Sequence, residues 1–163
     1  MTITQDRLKE LLEFNHETGQ FIRLTSHTGR WKRGQSAGYV THQGYVEIGV
    51  DGRYYGVHRL AWLYMTGHWP AGQIDHINGI KTDNRACNLR DVTKSVNIQN
   101  ARHARTNNSI GILGVCWHKA AKSWAAQIQV KGKKLHLGVY KTPHEAHEAY
   151  LAAKRQLHPG CTI

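Results

Sequence analysis

Cysteine is scarce in this chain. The three present, Cys87, Cys116 and Cys161, are scattered, odd in number and never spaced C-x-x-C. That pattern argues against a disulfide framework and a four-cysteine zinc site, and it fits a reducing cytosol. No stretch approaches the roughly 20 apolar residues that a membrane-spanning helix needs. The opening MTITQDRLKE also lacks the apolar run of a signal peptide. The expectation is a soluble, cytoplasmic protein with no membrane partner. Acidic residues are few as well: 11 Asp and Glu face 22 Lys and Arg, leaving a net charge of +11 at pH 7. Such an excess suits a polyanion, because each phosphate neutralised by Lys or Arg releases a condensed counterion. A solvated basic surface or a ribosome-associated protein fits the same charge.

Residues 4–14 read as a helix, with Leu8, Leu11 and Leu12 at helical spacing and Thr4 as its cap. Val46, Ile48 and Val50 alternate with Glu47 and Gly49. Asp51-Gly52 and Arg53-Tyr54-Tyr55 follow, which together read as a hairpin with a strong two-residue turn signal. Residues 58–66 (HRLAWLYMT) read as a short helix ended by Gly67 and Pro70. The segment 73–102 then follows the order strand (74–76), polar loop, strand (89–92), helix (95–102). The run HARTNNS at 103–109 reads as a basic linker that can order itself on DNA. The last third resets to strands around 114–117, 124–130 and 135–139, with a turn at Lys131-Gly132. A helix opens at Thr142-Pro143-His144-Glu145, a capping box with proline at the first helical position. Ala146, Ala149, Tyr150, Ala153 and Leu157 line one face of that helix, which must cover the sheet.

The residues that carry chemistry are Ile74-Asp75-His76-Ile77-Asn78-Gly79, Asn84, Asn88-Leu89-Arg90 and Val96-Asn97. Phosphodiester cleavage needs a base for the attacking water and a cation to offset charge on the reacting phosphate and the leaving oxygen. Mg²⁺ or Mn²⁺ is held by one or two protein oxygens, with waters and phosphate completing its shell. Neighbours on a strand point to opposite sides, so Asp75 and His76 cannot both ligate one ion. A second oxygen must come from another element, and Asn97 on the expected helix is the candidate. Asn78, Asn84 and Asn88 also read as simple turn formers.

The stretch IDHINGIKTDNRACNLRDVTKSVNIQNA resembles the HNH family, particularly its phage and intron-encoded homing endonucleases with a ββα-metal core. The resemblance implies His76 as general base and Asp75 and Asn97 as metal ligands. It also implies that Asn88 fixes the loop and helps orient His76. His58-Arg59 resembles a His-Arg pair found before this motif; His58 would brace the site and Arg59 would contact phosphate. Both residues also read as the surface of an amphipathic helix. Residues 111–159 resemble the plant ethylene-response-factor DNA-binding domain, through Gly114-Val115, Trp124-Ala125-Ala126-Gln127-Ile128, Leu137-Gly138-Val139-Tyr140 and Thr142-Pro143-His144-Glu145-Ala146. That implies a sheet lying in the major groove. The plant members' base-reading arginines are absent here. The contact pool is Trp117, His118, Lys119, Lys122, Gln127, Gln129, Lys131, Lys133, Lys134 and His136, with Arg102 and Arg105 before it; Trp124 reads as core. The N-terminal part resembles the β-rich leader of this HNH type, where Arg23, Arg30, Lys32, Arg33 and Arg53 would grip DNA or form a solvated turn.

The expected class is α+β. A β-rich region with a leading helix (1–70) precedes an HNH ββα-metal core (71–103). A basic linker (104–111) and a three-stranded antiparallel sheet packed on one helix (112–163) follow. The expected function is a monomeric, Mg²⁺- or Mn²⁺-dependent homing-type endonuclease acting on double-stranded DNA, in the bacterial host of a phage or mobile element. A non-catalytic DNA-binding regulator is the alternative. An RNA-directed protein is a third, though no aromatic platform for RNA is evident.

Overall fold

A computed structural model describes residues 2–104, 108 and 110–163. Arg105, in the expected linker, lies outside the described residues. The chain forms two compact units, Met1–Lys94 and Ser95–Ile163, in a mixed α/β architecture of small antiparallel sheets and few helices.

The first unit opens with α1 (Gln5–Leu11), capped by the Thr4 hydroxyl, which accepts from the Arg7 amide. The helix ends earlier than the leucine spacing predicts. Leu12 and Phe14 instead alternate with Glu13 and Asn15 in β1 (Leu12–Asn15), buried against exposed. Pairing with β2 (Gln20–Arg23) buries Phe14 and Phe21 as partners, and that apolar pair outweighs local helix propensity. β3 (Ser36–Ala37) completes this sheet. A second sheet joins β4 (Tyr39–Val40), β5 (Val46–Val50) and β6 (Arg53–Gly56) in that order. Asp51 and Gly52 both have positive φ, 47° and 76°, as the expected hairpin turn requires. α2 (Val57–Thr66) ends on Gly67 in the left-handed region. Then β7 (Gln73–His76) pairs with β8 (Leu89–Val92). Ile74 and Leu89 share one apolar cluster with Leu8, Leu12, Phe21, Ile48, Leu60 and Leu63. The β7–β8 hairpin therefore rests on the core of the N-terminal region.

One glycine ties that region to the loop between β7 and β8. The Asn15 side chain accepts from the amides of Glu17 and Thr18 and shapes the β1–β2 turn. Gly19 in that turn has φ +72°, and a Cβ there would meet Arg85 N at 2.4 Å. The Ala86 amide also donates to His16 O at 3.1 Å. We expect Gly19→Val to destabilise the unit by about 1–3 kcal/mol from backbone strain alone. A urea-unfolding midpoint unchanged from wild type would contradict this role.

The second unit contains α3 (Lys94–Gln99), whose first residue belongs to the first unit, and a sheet in the order β11, β10, β9. Its strands are β9 (Val115–His118), β10 (Ser123–Val130) and β11 (Lys133–Tyr140). α3 stops short of the expected residue 102 because the Asn100 side chain, now buried, bonds the Thr162 hydroxyl. α4 (Pro143–Leu157) carries both halves of the capping box. Its Ala146 and Tyr150 pack with Val115, Ala126 and Ile128.

Candidate active site

Asp75 and His76 end β7 and are both buried, at 5% exposure each. Antiparallel register sets Asp75 opposite Arg90 on β8. The Arg90 guanidinium forks onto one carboxylate oxygen, donating from Nε at 2.9 Å and from Nη2 at 2.7 Å. This orients the carboxylate.

The His76 ring is fixed through Nε2, 3.1 Å from Asn84 Oδ1. Asn84 is itself fully buried, and its Nδ2 donates to Thr82 O at 3.2 Å. That bond identifies Oδ1 as the acceptor end of the amide. Nε2 must then carry the hydrogen, which leaves the basic lone pair of the neutral ring on Nδ1. Burial holds the His76 pKa below the ordinary histidine value, partly opposed by the Asn84 bond and by the charges of Asp75 and Asp83. The ring is therefore a neutral base at neutral pH.

Asn88 organises the loop. Its Oδ1 accepts from the Asn78 amide at 2.9 Å, and its Nδ2 donates to Asn78 Oδ1 and Asp83 O. Its carbonyl also receives the Ile77 amide. Asp83 binds Asn78 Nδ2 and a fork from Arg85, which holds its carboxyl down to about 2.

His58, near the start of α2, lies beside His76 with ring centroids 5.4 Å apart and a T-shaped arrangement. Tyr45 contacts both rings, at 5.3 and 6.1 Å, and Lys81 Nζ lies 4.6 Å from the Tyr45 ring. Gly56 makes room for His58, since a Cβ there would meet the imidazole Cε1 at 2.6 Å. Burial, then the neighbouring His76 and Arg59, push the His58 pKa down to about 4.

Asp75, His76, Asn88 and His58 thus gather in the first unit. Asn97 is half-buried on α3, in the second unit. Sequence reasoning placed Asn84 and Arg90 in the motif run without a catalytic role of their own, and it passed over Tyr45. Arg90 had a usable signal, since pairing the two strands sets it opposite Asp75. Asn84 had none beyond its place in a polar loop.

The basic residues expected to contact DNA are spread over both units. Arg30, Lys32, Arg33, Arg53 and Arg59 are exposed. The Arg23 guanidinium lies 4.3 Å from the Trp31 ring. Arg59 lies 5.4 Å from the Trp69 ring. In the second unit, register pairs Gln127 with His136 and Gln129 with Lys134, and partners share a face. Gln127 Nε2 also reaches Cys116 Sγ, which puts Cys116 on that face. Trp117 is Cys116's neighbour and so points to the other face, edge-on to Trp124 at 5.0 Å. Trp124 packs against the core, as expected. His118 ends β9, and Lys119 and Lys122 flank the turn that follows. Lys131 and Lys133 border the β10–β11 turn. Arg102 donates to the Thr162 hydroxyl at 2.9 Å.

Residues 55–99 match the family model described as HNH endonuclease. This segment is an HNH endonuclease domain, so the chain carries the catalytic unit of a phosphodiester-cleaving hydrolase. Because the match spans well under half of the chain, it defines a domain. Among solved structures, one described as "DNA binding and cleavage by the HNH homing endonuclease I-HmuI" is similar at 21% identity. The likeness covers 85% of this chain and 76% of that one, with a TM-score of 0.46. No curated protein matches the chain.

Proposed function

We propose that this chain is a metal-dependent endonuclease that nicks or cuts double-stranded DNA at a recognised site, as a homing-type enzyme. The observation that carries the reading is the buried His76, anchored through Nε2 on Asn84 and adjacent to the Arg90-oriented Asp75. His76 Nδ1 takes a proton from water, and the hydroxide attacks phosphorus in line with the 3′-oxygen. The products are 5′-phosphate and 3′-hydroxyl ends.

The Asp75 carboxylate fits a hard divalent ion, since Mg²⁺ and Mn²⁺ prefer oxygen ligands. Among the described residues, no three His, Cys, Asp or Glu side chains gather as an all-protein metal cage. One carboxylate with waters and phosphate suits an ion of this kind. Asp75 would hold it. Asn97 enters as second ligand from the motif alone. When bound, the ion would offset charge developing on the reacting phosphate and the leaving oxygen.

DNA is the partner that the +11 net charge favours. The face carrying Gln127, Gln129, Lys134 and His136 suits a sheet laid in the major groove. The exposed Arg30, Lys32, Arg33 and Arg53 suit the phosphate backbone. The test is supercoiled plasmid incubated with Mg²⁺, Mn²⁺ or EDTA. Conversion to open-circular or linear DNA with metal, blocked by EDTA, is expected. Binding without conversion under every condition would instead identify a non-catalytic regulator.

The pH behaviour follows from His76, which is buried, and from the half-buried His58. The base works when neutral, and the His76 pKa is lowered, so the acid limb of the rate profile falls below the usual histidine value of roughly 6.5. Stability follows the same sign. Unfolding frees both imidazoles to protonate near 6.5, so the unfolded state binds more protons and stability falls as pH drops from about 6.5 towards 4. A melting temperature that is flat or rising over that window would contradict the assignment.

A further inference from the structure

The helix that carries Asn97 is only six residues long and has no buried residue of its own. Isolated helices of that length do not persist in water. Within the second unit, it is fastened from distant parts of the chain. Lys154 of α4 is buried and donates from Nζ to Ala101 O, one turn past Asn97, where a cation suits the carboxyl end of a helix. After α4, His158 is held by Gln129 O of β10 at 2.9 Å. The chain then turns back under α3. The Gly160 amide donates to Gln99 Oε1 at 3.1 Å, and its Cα packs so closely that an added Cβ would meet Val96 O at 2.2 Å. The Thr162 hydroxyl donates to Asn100 Oδ1 and accepts from Arg102 Nη2. The Asn100 amide in turn donates to Asn97 O at 3.1 Å, so the turn that Thr162 grips is the turn that bears Asn97.

We propose that Lys154 and the segment 158–162 are positioning residues, a latch that holds the Asn97 helix as part of the DNA-docking sheet unit. The placement of Asn97 is thereby set from within its own unit, by α4 and the segment after it. This inference rests on the reading of Asn97 as a metal ligand.

The test uses the full chain with Thr162→Val, Thr162→Ser and Gly160→Ala. Amide exchange is measured on metal-free protein. Thr162→Val and Gly160→Ala are expected to speed exchange of the Asn100 and Ala101 amides about 10-fold while the α4 amides keep their protection. Half-saturating Mn²⁺ for cleavage should rise about 10-fold. Thr162→Ser, which keeps the hydroxyl, should match wild type in both. DNA affinity in EDTA should stay unchanged in all three. Wild-type exchange at Asn100 and Ala101 in the Val and Ala variants overturns the latch. So does a change confined to global unfolding, with α4 amides exposed equally. An Asn97→Ala variant separates the two readings. If it leaves Mn²⁺ half-saturation unchanged, the ligand reading fails, and the exchange result still decides whether the latch exists.

Discussion

His76→Ala should lower the DNA cleavage rate roughly 10²–10⁴-fold, the range expected when a positioned general base is lost. The geometry gives the reason. Its ring is buried, with Nε2 bonded to Asn84 Oδ1, which places the basic lone pair on Nδ1. Binding should be nearly unchanged, because the exposed cations that suit phosphate contact lie elsewhere on the chain. Single-turnover rates with saturating enzyme, alongside affinity measured in EDTA, separate the two quantities. Equal losses in both would mean that His76 supports the fold or the DNA grip instead of the chemistry.

Asn84→Ala should cost on the order of 10²-fold in rate, although Asn84 itself touches no substrate in this reading. Its oxygen receives the Nε2 hydrogen, so its loss frees the ring to rotate and to exchange tautomers. The buried Nε2–H is then left without its acceptor, which costs about 1–3 kcal/mol of stability. Asn84→Asp distinguishes positioning from mere packing. Aspartate still accepts the hydrogen, but its charge favours the imidazolium. The rate should recover at alkaline pH, while the acid limb moves upward. An acid limb unmoved in Asn84→Asp would show that Asn84 only fills space.

Features coded by local chemistry were legible in the sequence. Asp51-Gly52 fixes the β5–β6 turn, where both residues have positive φ. Thr142, Pro143 and Glu145 set the start of α4. Asp75, His76 and Asn88 stood out through motif spacing, and the structure gathers them with His58. Features coded by distant partners were not legible. Leu12 and Phe14 fit a helix by spacing, yet the facing strand with Phe21 turns them into β1. Asn84 looks like any loop asparagine until the β7–β8 loop folds its amide onto His76. The end of α3 is set by Thr162, 62 residues beyond Asn100, a contact that no local pattern announces.

The direct measurement is of the His76 imidazole itself, followed by ¹⁵N NMR across a pH titration of the metal-free protein. A neutral ring with hydrogen on Nε2 and the lone pair on Nδ1 is expected at neutral pH, protonating only below the ordinary histidine range. A ring already protonated at neutral pH would have no lone pair to draw a proton from water, and one carrying its hydrogen on Nδ1 would leave that lone pair on Nε2, against Asn84; either result would contradict Nδ1 as the base.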